Sequence, residues 1–221
     1  MHNLFEVFQM IDLYHSYLIA KGIKFSGDGY PIFENSMFLN EYPDMVVPFN
    51  QKKNRRVKNP QKTVICFFGG DKYIYPRYEK IFDELDTYKK YMGVVEPDIT
   101  LTEDMDIEWQ SVTMLLNQLF MAVLAVNGIK VILNTRMGLS DTAIAFENIP
   151  KKIMVASGFL GACPYKAPRD FSYVSKILRL YPEKVIIFGP CEVDAQEKLN
   201  RMGISFRTYS SFRTLCKEVA L

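Results

Sequence analysis

Residues 63–71 read Thr-Val-Ile-Cys-Phe-Phe-Gly-Gly-Asp, an apolar run that stops at two glycines and a carboxylate. Five further short apolar runs follow along the chain, at 93–95, 130–133, 152–156, 184–188 and 204–206. An apolar run that does not alternate with polar residues indicates a strand covered on both faces, as in a parallel sheet. The runs therefore predict the strands of a mainly parallel sheet.

Helical patterns separate these runs. One begins at Pro76, and another covers about 106–127 and ends at Gly128. Shorter helices are predicted near 141–148, 170–181, 191–202 and 210–220. Because strand and helix alternate about six times, the predicted fold class is α/β, with consecutive βα units. The sheet is either open and doubly wound or a partial barrel.

The N-terminal part of the chain has a different pattern. Polar residues recur at helical spacing within 4–20, which predicts a helical extension rather than a signal peptide or a membrane span. An irregular stretch follows and ends in the basic run Lys52–Lys58. That run is either a solvated linker or a contact for nucleic-acid phosphates. We therefore divide the chain into a helix with an irregular extension or linker, 1–62, and an α/β domain, 63–221.

Composition limits the function classes. A net charge of +2 over 221 residues gives no support for a protein that binds duplex nucleic acid. The four cysteines are scattered and both histidines lie near the N-terminus, so no zinc or iron–sulfur pattern is present. A cytoplasmic location without a membrane span is expected. The segment 111–126 is apolar nearly all round, so it is predicted to lie between the sheet and either the N-terminal helix or a second subunit, which makes a homo-oligomer compatible with the sequence.

Polar residues follow the predicted strands at their carboxyl ends, where parallel α/β folds bind ligands. The residues expected to line a site at this edge are Gly70, Asp71, Lys72, Asp98, Asn134, Arg136 and Asp141.

Arg136 is the leading candidate among them, because a guanidinium forks onto a phosphate or a carboxylate. The alternative is an ion pair with Asp71, Asp98 or Asp141. Asp71 and Asp98 are candidates for a general base and for Mg²⁺ ligands. Their alternatives are a tight turn at the glycine pair and an Asx-turn at Asp98.

Two cysteines, Cys163 and Cys191, also fall in loops on this side of the sheet. A nucleophilic thiol needs a base, and the α/β part of the chain has no histidine. Both are therefore interpreted as structural cysteines.

Four sequence blocks carry a resemblance to a known family: Phe67-Phe68-Gly69-Gly70-Asp71, then Pro97-Asp98-Ile99-Thr100-Leu101 with Met105, then Gly128 to Arg136, then Gly189. Over about 46–206 the chain resembles the bacterial and phage family catalogued as domain of unknown function 4417. Members of that family usually have a tryptophan where this chain has Met137. The resemblance implies an α/β fold and a connection with mobile elements, and it implies no known activity.

Two functions remain open. The first is an enzyme or ligand-binding domain for a phosphorylated or nucleotide-like small anion, with Arg136 as the anion clamp and Mg²⁺ as a candidate cofactor. The second is a non-catalytic phage or mobile-element accessory protein that binds a host protein or nucleic acid. The polar strand ends favour the first, and the N-terminal helix and basic run favour the second. No catalytic motif decides whether the chain is an enzyme.

Overall fold

The computed structural model describes residues 4–102, 104–136, 138–158, 177–189, 191 and 193–210. Its centre is a sheet of seven strands: β1 Met45–Pro48, β2 Thr63–Cys66, β3 Gly93–Val95, β4 Val131–Asn134, β5 Met154–Gly158, β6 Lys184–Phe188 and β7 Ser205–Tyr209. Every neighbouring pair is parallel, and the spatial order is the chain order. The α/β prediction is confirmed, and the curled sheet is the partial barrel rather than the doubly wound alternative.

Five α-helices lie entirely within the described ranges: α1 Leu4–Ala20, α2 Asp71–Glu79, α3 Ile81–Tyr88, α4 Ile107–Val126 and α5 Val193–Arg201. Residues 177–180 are also helical. Short 3-10 helices cover Asn35–Met37, Phe49–Gln51, Pro60–Lys62 and Ser140–Phe146.

The structure corrects two of the predicted helices. The helix expected to begin at Pro76 begins at Asp71, because Gly70 supplies the extended N-cap, and Pro76 lies inside α2. The segment near 141–148 forms a 3-10 helix rather than an α-helix. The helix predicted near 210–220 lies outside the described residues, and of the one near 170–181 only 177–180 are described, as helix.

The two faces of the sheet bury different side chains. In β2, Ile65 joins the large core beneath the helices, whereas Val64 and Cys66 join a second cluster on the opposite face. The same alternation divides Val94 from Val95 in β3. Because both faces are apolar, the strands read as continuous runs in the sequence.

The sheet is curled into a half-barrel. The rings of Phe68, just after β2, and Phe188, at the end of β6, have centroids 5.7 Å apart. In a flat sheet strands four positions apart would be separated by roughly 19 Å. Residues before β1 also reach the far edge of the sheet, because Tyr209, the last residue of β7, donates a hydrogen bond of 2.7 Å to the carbonyl of Pro43. The side chains of the concave face therefore meet one another.

Helix α4 is the central helix of the core. Of the described helices, it alone is long and apolar enough to cross a membrane by length and composition, and 67% of its apolar window is buried inside the domain. Helix α1 packs against α4. This is one of the two arrangements that the sequence predicted for the apolar helix, the other being contact with a second subunit. Tyr17 of α1 donates a 3.1 Å hydrogen bond to Asn127 at the end of α4. The long apolar helix is thus covered by the sheet and by α1.

The basic run is attached to the domain at several points. Lys52 forms an ion pair with Glu84 of α3 at 3.4 Å, and its carbonyl accepts a hydrogen bond from Tyr91. Val57 packs against the core. The domain division at residue 62 stays a prediction, although β1 from the first part pairs with β2 from the second.

The packing of α1 can be tested with two matched leucines. Leu18 is fully buried against the core, whereas Leu13 on the same helix is 55% exposed. Leu18→Asp places an unpaired carboxylate in the core and should lower the free energy of unfolding by more than about 2 kcal/mol. Leu13→Asp should leave it nearly unchanged. Urea denaturation measures both, and equal losses would contradict this packing.

Candidate functional site

The strand ends of β3 and β4 present the polar side chains of the candidate site. The backbone ladder continues past both strands, since Glu96 donates to the Ile132 carbonyl and Thr135 donates to the Ala156 carbonyl, each at 2.9 Å. Asp98 and Arg136 follow directly after these paired residues. Both side chains therefore project from rigidly held backbone at the carboxyl edge of the sheet.

Asp98, Asn134 and Arg136 form one hydrogen-bonded group. Asn134 Nδ2 donates to Asp98 Oδ1 at 2.9 Å, and Arg136 Nε donates to the same oxygen. Arg136 Nη2 lies 3.4 Å from Asp98 Oδ2, so the guanidinium forks onto the carboxylate. Asn134 Oδ1 also accepts from the Arg136 backbone at 3.2 Å. Of the ion pairs expected for Arg136, the one with Asp98 is the one formed.

A buried glutamine connects the loop that follows β3 with the loop that follows β4. Gln110, near the start of α4, donates to the carbonyls of Thr102 at 3.2 Å and Met105 at 2.8 Å, and it accepts from the Leu139 backbone at 2.8 Å. Gly138 leaves the space that this contact needs, because a Cβ there would lie 1.8 Å from Gln110 Oε1. The loop after Arg136 is thus fastened to the loop that follows Asp98.

Asp71 lies at the first position of α2 and has different partners. Its Oδ1 accepts from the backbone and from the hydroxyl of Thr100, each at 3.2 Å. Asp71 thus contacts the loop that carries Asp98 but not the Asp98–Arg136 pair. Within the described part of the chain, no group of three or more His, Cys, Asp or Glu side chains could hold a metal ion.

The remaining predicted residues are Gly70, Lys72 and Asp141, and each has local contacts of its own. Gly70 is the N-cap of α2. Lys72 is exposed, with its Nζ 4.9 Å from the centre of the Tyr73 ring. Asp141 is exposed in the first turn of the 3-10 helix and accepts from Ser140 at 3.2 Å. These three stay candidates for ligand contact.

The concave side of the site is lined by two aromatic rings and one glycine. Phe68 and Phe188 are half-buried and in ring contact. A Cβ on Gly158, the last residue of β5, would lie 3.9 Å from both Asp98 Oδ2 and the Phe68 ring. We call the set Phe68, Asp98, Asn134, Arg136, Gly158 and Phe188 the concave mouth.

Glu96 is a residue of the site region that the sequence reasoning missed. It is buried beneath the strand ends, where its Oε2 accepts from the Asn134 backbone at 2.9 Å and its Oε1 has no hydrogen-bond partner. The pKa of Glu96 is raised to about 8, chiefly because burial disfavours the charged form; the Asn134 hydrogen bond opposes this rise and the charge of Asp98 adds to it. The available signal was a carboxylate directly after the continuous run Gly93-Val94-Val95.

Two cysteines, Cys66 and Cys191, lie within the described residues, and their structural role stays a prediction. Cys66 is completely buried in the concave face, and burial raises the pKa of its thiol to about 12. Cys191 is half-buried and packs against the core. Cys163 lies outside the described residues.

A family model described as "Domain of unknown function (DUF4417)" matches residues 29–210. The chain belongs to this family. The match confirms the resemblance drawn from the sequence blocks. No curated protein and no solved structure matches the chain.

All residues of the concave mouth lie in the DUF4417 segment, whereas α1 precedes it. The candidate site is therefore a feature of the DUF4417 part of the chain.

The buried Glu96 of this DUF4417 domain gives a prediction about pH. An unfolded glutamate ionises near pH 4.5 and the folded one near pH 8, so the native state holds an extra proton between these values. The stability that Glu96 contributes is therefore complete below about pH 4.5 and is lost as the pH rises towards 8. One pKa unit corresponds to about 1.4 kcal/mol, which makes the loss measurable.

Glu96→Gln should flatten this fall, with a higher melting temperature than the unsubstituted protein at pH 8 and a smaller difference at pH 5. Exposed Glu147 provides the matched control, because Glu147→Gln should leave the pH profile unchanged. Calorimetry from pH 5 to 8 measures both. An unaltered slope in Glu96→Gln would show that this carboxyl is not held neutral by the fold.

Proposed function

We propose that the concave mouth binds a small phosphorylated or nucleotide-like anion, with the Arg136 guanidinium as its anchor. The observation that carries the proposal is the fork of Arg136 on the Asp98 carboxylate. The guanidinium is 40% exposed while it makes this fork. It is thus accessible from solvent and already oriented to bind two oxygens of one anion, and a phosphate also offers two oxygens to a guanidinium.

In this proposal a bound phosphate replaces the Asp98 carboxylate as the ion-pair partner of the Arg136 guanidinium. Asp98 keeps its hydrogen bond from Asn134. An ion pair with this exposure contributes about 1 kcal/mol or less, so its loss is offset by a doubly charged phosphate in the same position. Asn134 is then the residue that keeps Asp98 in place when Arg136 moves to the ligand.

The proposal assigns candidate roles in catalysis and metal binding to two carboxylates, Asp98 and Asp71. Asp98, released from Arg136, lies beside the bound anion and serves as the candidate general base or Mg²⁺ ligand. Asp71 is the second candidate, and it would have to leave Thr100 to bind a metal. Magnesium and catalysis both stay predictions, as does a cytoplasmic location.

One observation favours the second function, an accessory protein of a phage or mobile element that binds a host macromolecule. Helix α1 exposes Phe5 at 69%, Phe8 at 44% and Ile19 at 61% along one side, and Leu13 of the same helix is exposed as well. Exposed apolar residues grouped on one helix face are typical of protein contacts. This function would place the partner on α1 rather than at the concave mouth.

Thermal shift in the presence of AMP and ribose 5-phosphate tests the proposed anchor. A ligand at about a hundred times its dissociation constant adds roughly 2.7 kcal/mol of stability. Arg136→Ala should abolish that gain. Arg201→Ala, which removes an arginine paired with Glu197 far along the chain, should keep it.

Asp98→Asn sharpens the test, because it removes the carboxylate that competes with the anion. It should raise the affinity for ribose 5-phosphate, measured by calorimetry without Mg²⁺. A lower affinity in Asp98→Asn would show that Asp98 itself holds the ligand. Stabilisation that persists in Arg136→Ala, or no stabilisation by either ligand, would contradict the proposal.

A further inference from the structure

We infer that the concave mouth holds the base of a mononucleotide, stacked on the aromatic pair Phe68 and Phe188, with Asp98 Oδ2 accepting a hydrogen bond from the base. This inference rests on the proposed function, since it assigns the organic part of the ligand whose phosphate Arg136 binds.

The first observation is the position of the aromatic pair. Phe68 follows β2 and Phe188 ends β6, and both rings lie on the concave face, with an interplanar angle of 38°. Both side chains are only half-buried, so part of their ring surface is open at the mouth. Aromatic side chains on which bases stack are a general means of binding nucleotides without a sequence code.

The second observation is the uneven bonding of the Asp98 carboxylate. Oδ1 accepts from both Asn134 and Arg136, whereas among the described residues Oδ2 has only the long 3.4 Å contact with Arg136 Nη2. A carboxylate oxygen accommodates more than one donor, so Oδ2 keeps acceptor capacity. It can therefore accept an N–H of a base or of its amino group.

The third observation is that Gly158 adjoins both groups. A Cβ at this position would lie 3.9 Å from Asp98 Oδ2 and 3.9 Å from the Phe68 ring, in ordinary van der Waals contact with each. The ring and the carboxylate oxygen therefore flank the same point of β5, and glycine places no side chain there.

Together these groups offer separate contacts to two parts of the ligand, the phosphate and the base. Arg136 contacts the Asp98 carboxylate, and the Phe68 ring and that carboxylate both adjoin Gly158. A mononucleotide has a phosphate and a base joined by a sugar, which matches an arginine and an aromatic surface separated by one carboxylate. A sugar phosphate without a base would use only the arginine side.

Calorimetric titration with AMP, GMP and ribose 5-phosphate tests the inference. At least one nucleotide should bind the unsubstituted protein about tenfold or more tightly than ribose 5-phosphate, since stacking on an aromatic side chain contributes this much. Phe68→Leu keeps the apolar bulk but removes the ring, so it should lower nucleotide affinity about tenfold and leave ribose 5-phosphate affinity unchanged. Phe8→Leu, at an exposed aromatic residue of α1, is the matched control and should change neither.

The outcomes separate this inference from the proposed function. Equal affinities for ribose 5-phosphate and both nucleotides, with all binding lost in Arg136→Ala, would overturn the base site and keep the anion site. No binding of any of the three would overturn both. The comparison of ligands on the unsubstituted protein decides the matter even if Phe68→Leu does not fold.

Discussion

Every part of this structure depends on a parallel sheet whose strands follow one another in chain order. Crossovers of one hand then place the helices on a single face, and the other face must bury its apolar side chains by itself. It does so by curling until Phe68 and Phe188 touch across the concave side. The same curl brings the carboxyl ends of distant strands together, so the need to bury one face also creates the concave mouth.

The polar residues of the mouth are held by bonds that come from outside it. Gln110 fastens the loops on either side of the Asp98–Arg136 pair, and the Asn134 backbone is bonded to the buried Glu96. A carboxyl with one unpartnered oxygen in a dry position is costly for the fold. Such costs concentrate at functional sites, which is consistent with a ligand at this edge.

The sequence predicted the strands β2 to β7, the α/β class and the edge at which Asp98, Asn134 and Arg136 gather, because periodicity and strand ends are local features. It could not choose between an open sheet and a partial barrel, since strand order and the contact of Phe68 with Phe188 arise only from tertiary packing. Pro76 was read as a helix start, but Gly70 set the start five residues earlier. Glu96 was missed although it directly follows the run Gly93-Val94-Val95, because that position alone does not distinguish a buried carboxylate from an exposed one.

A crystal structure of the protein with bound ribose 5-phosphate tests the central claim most directly. We expect phosphate oxygens at about 2.7–2.9 Å from the guanidinium nitrogens of Arg136. Asp98 should be released by Arg136 and still be bonded to Asn134. A phosphate bound elsewhere, with the Asp98–Arg136 pair intact, would contradict the assignment of the concave mouth as an anion site.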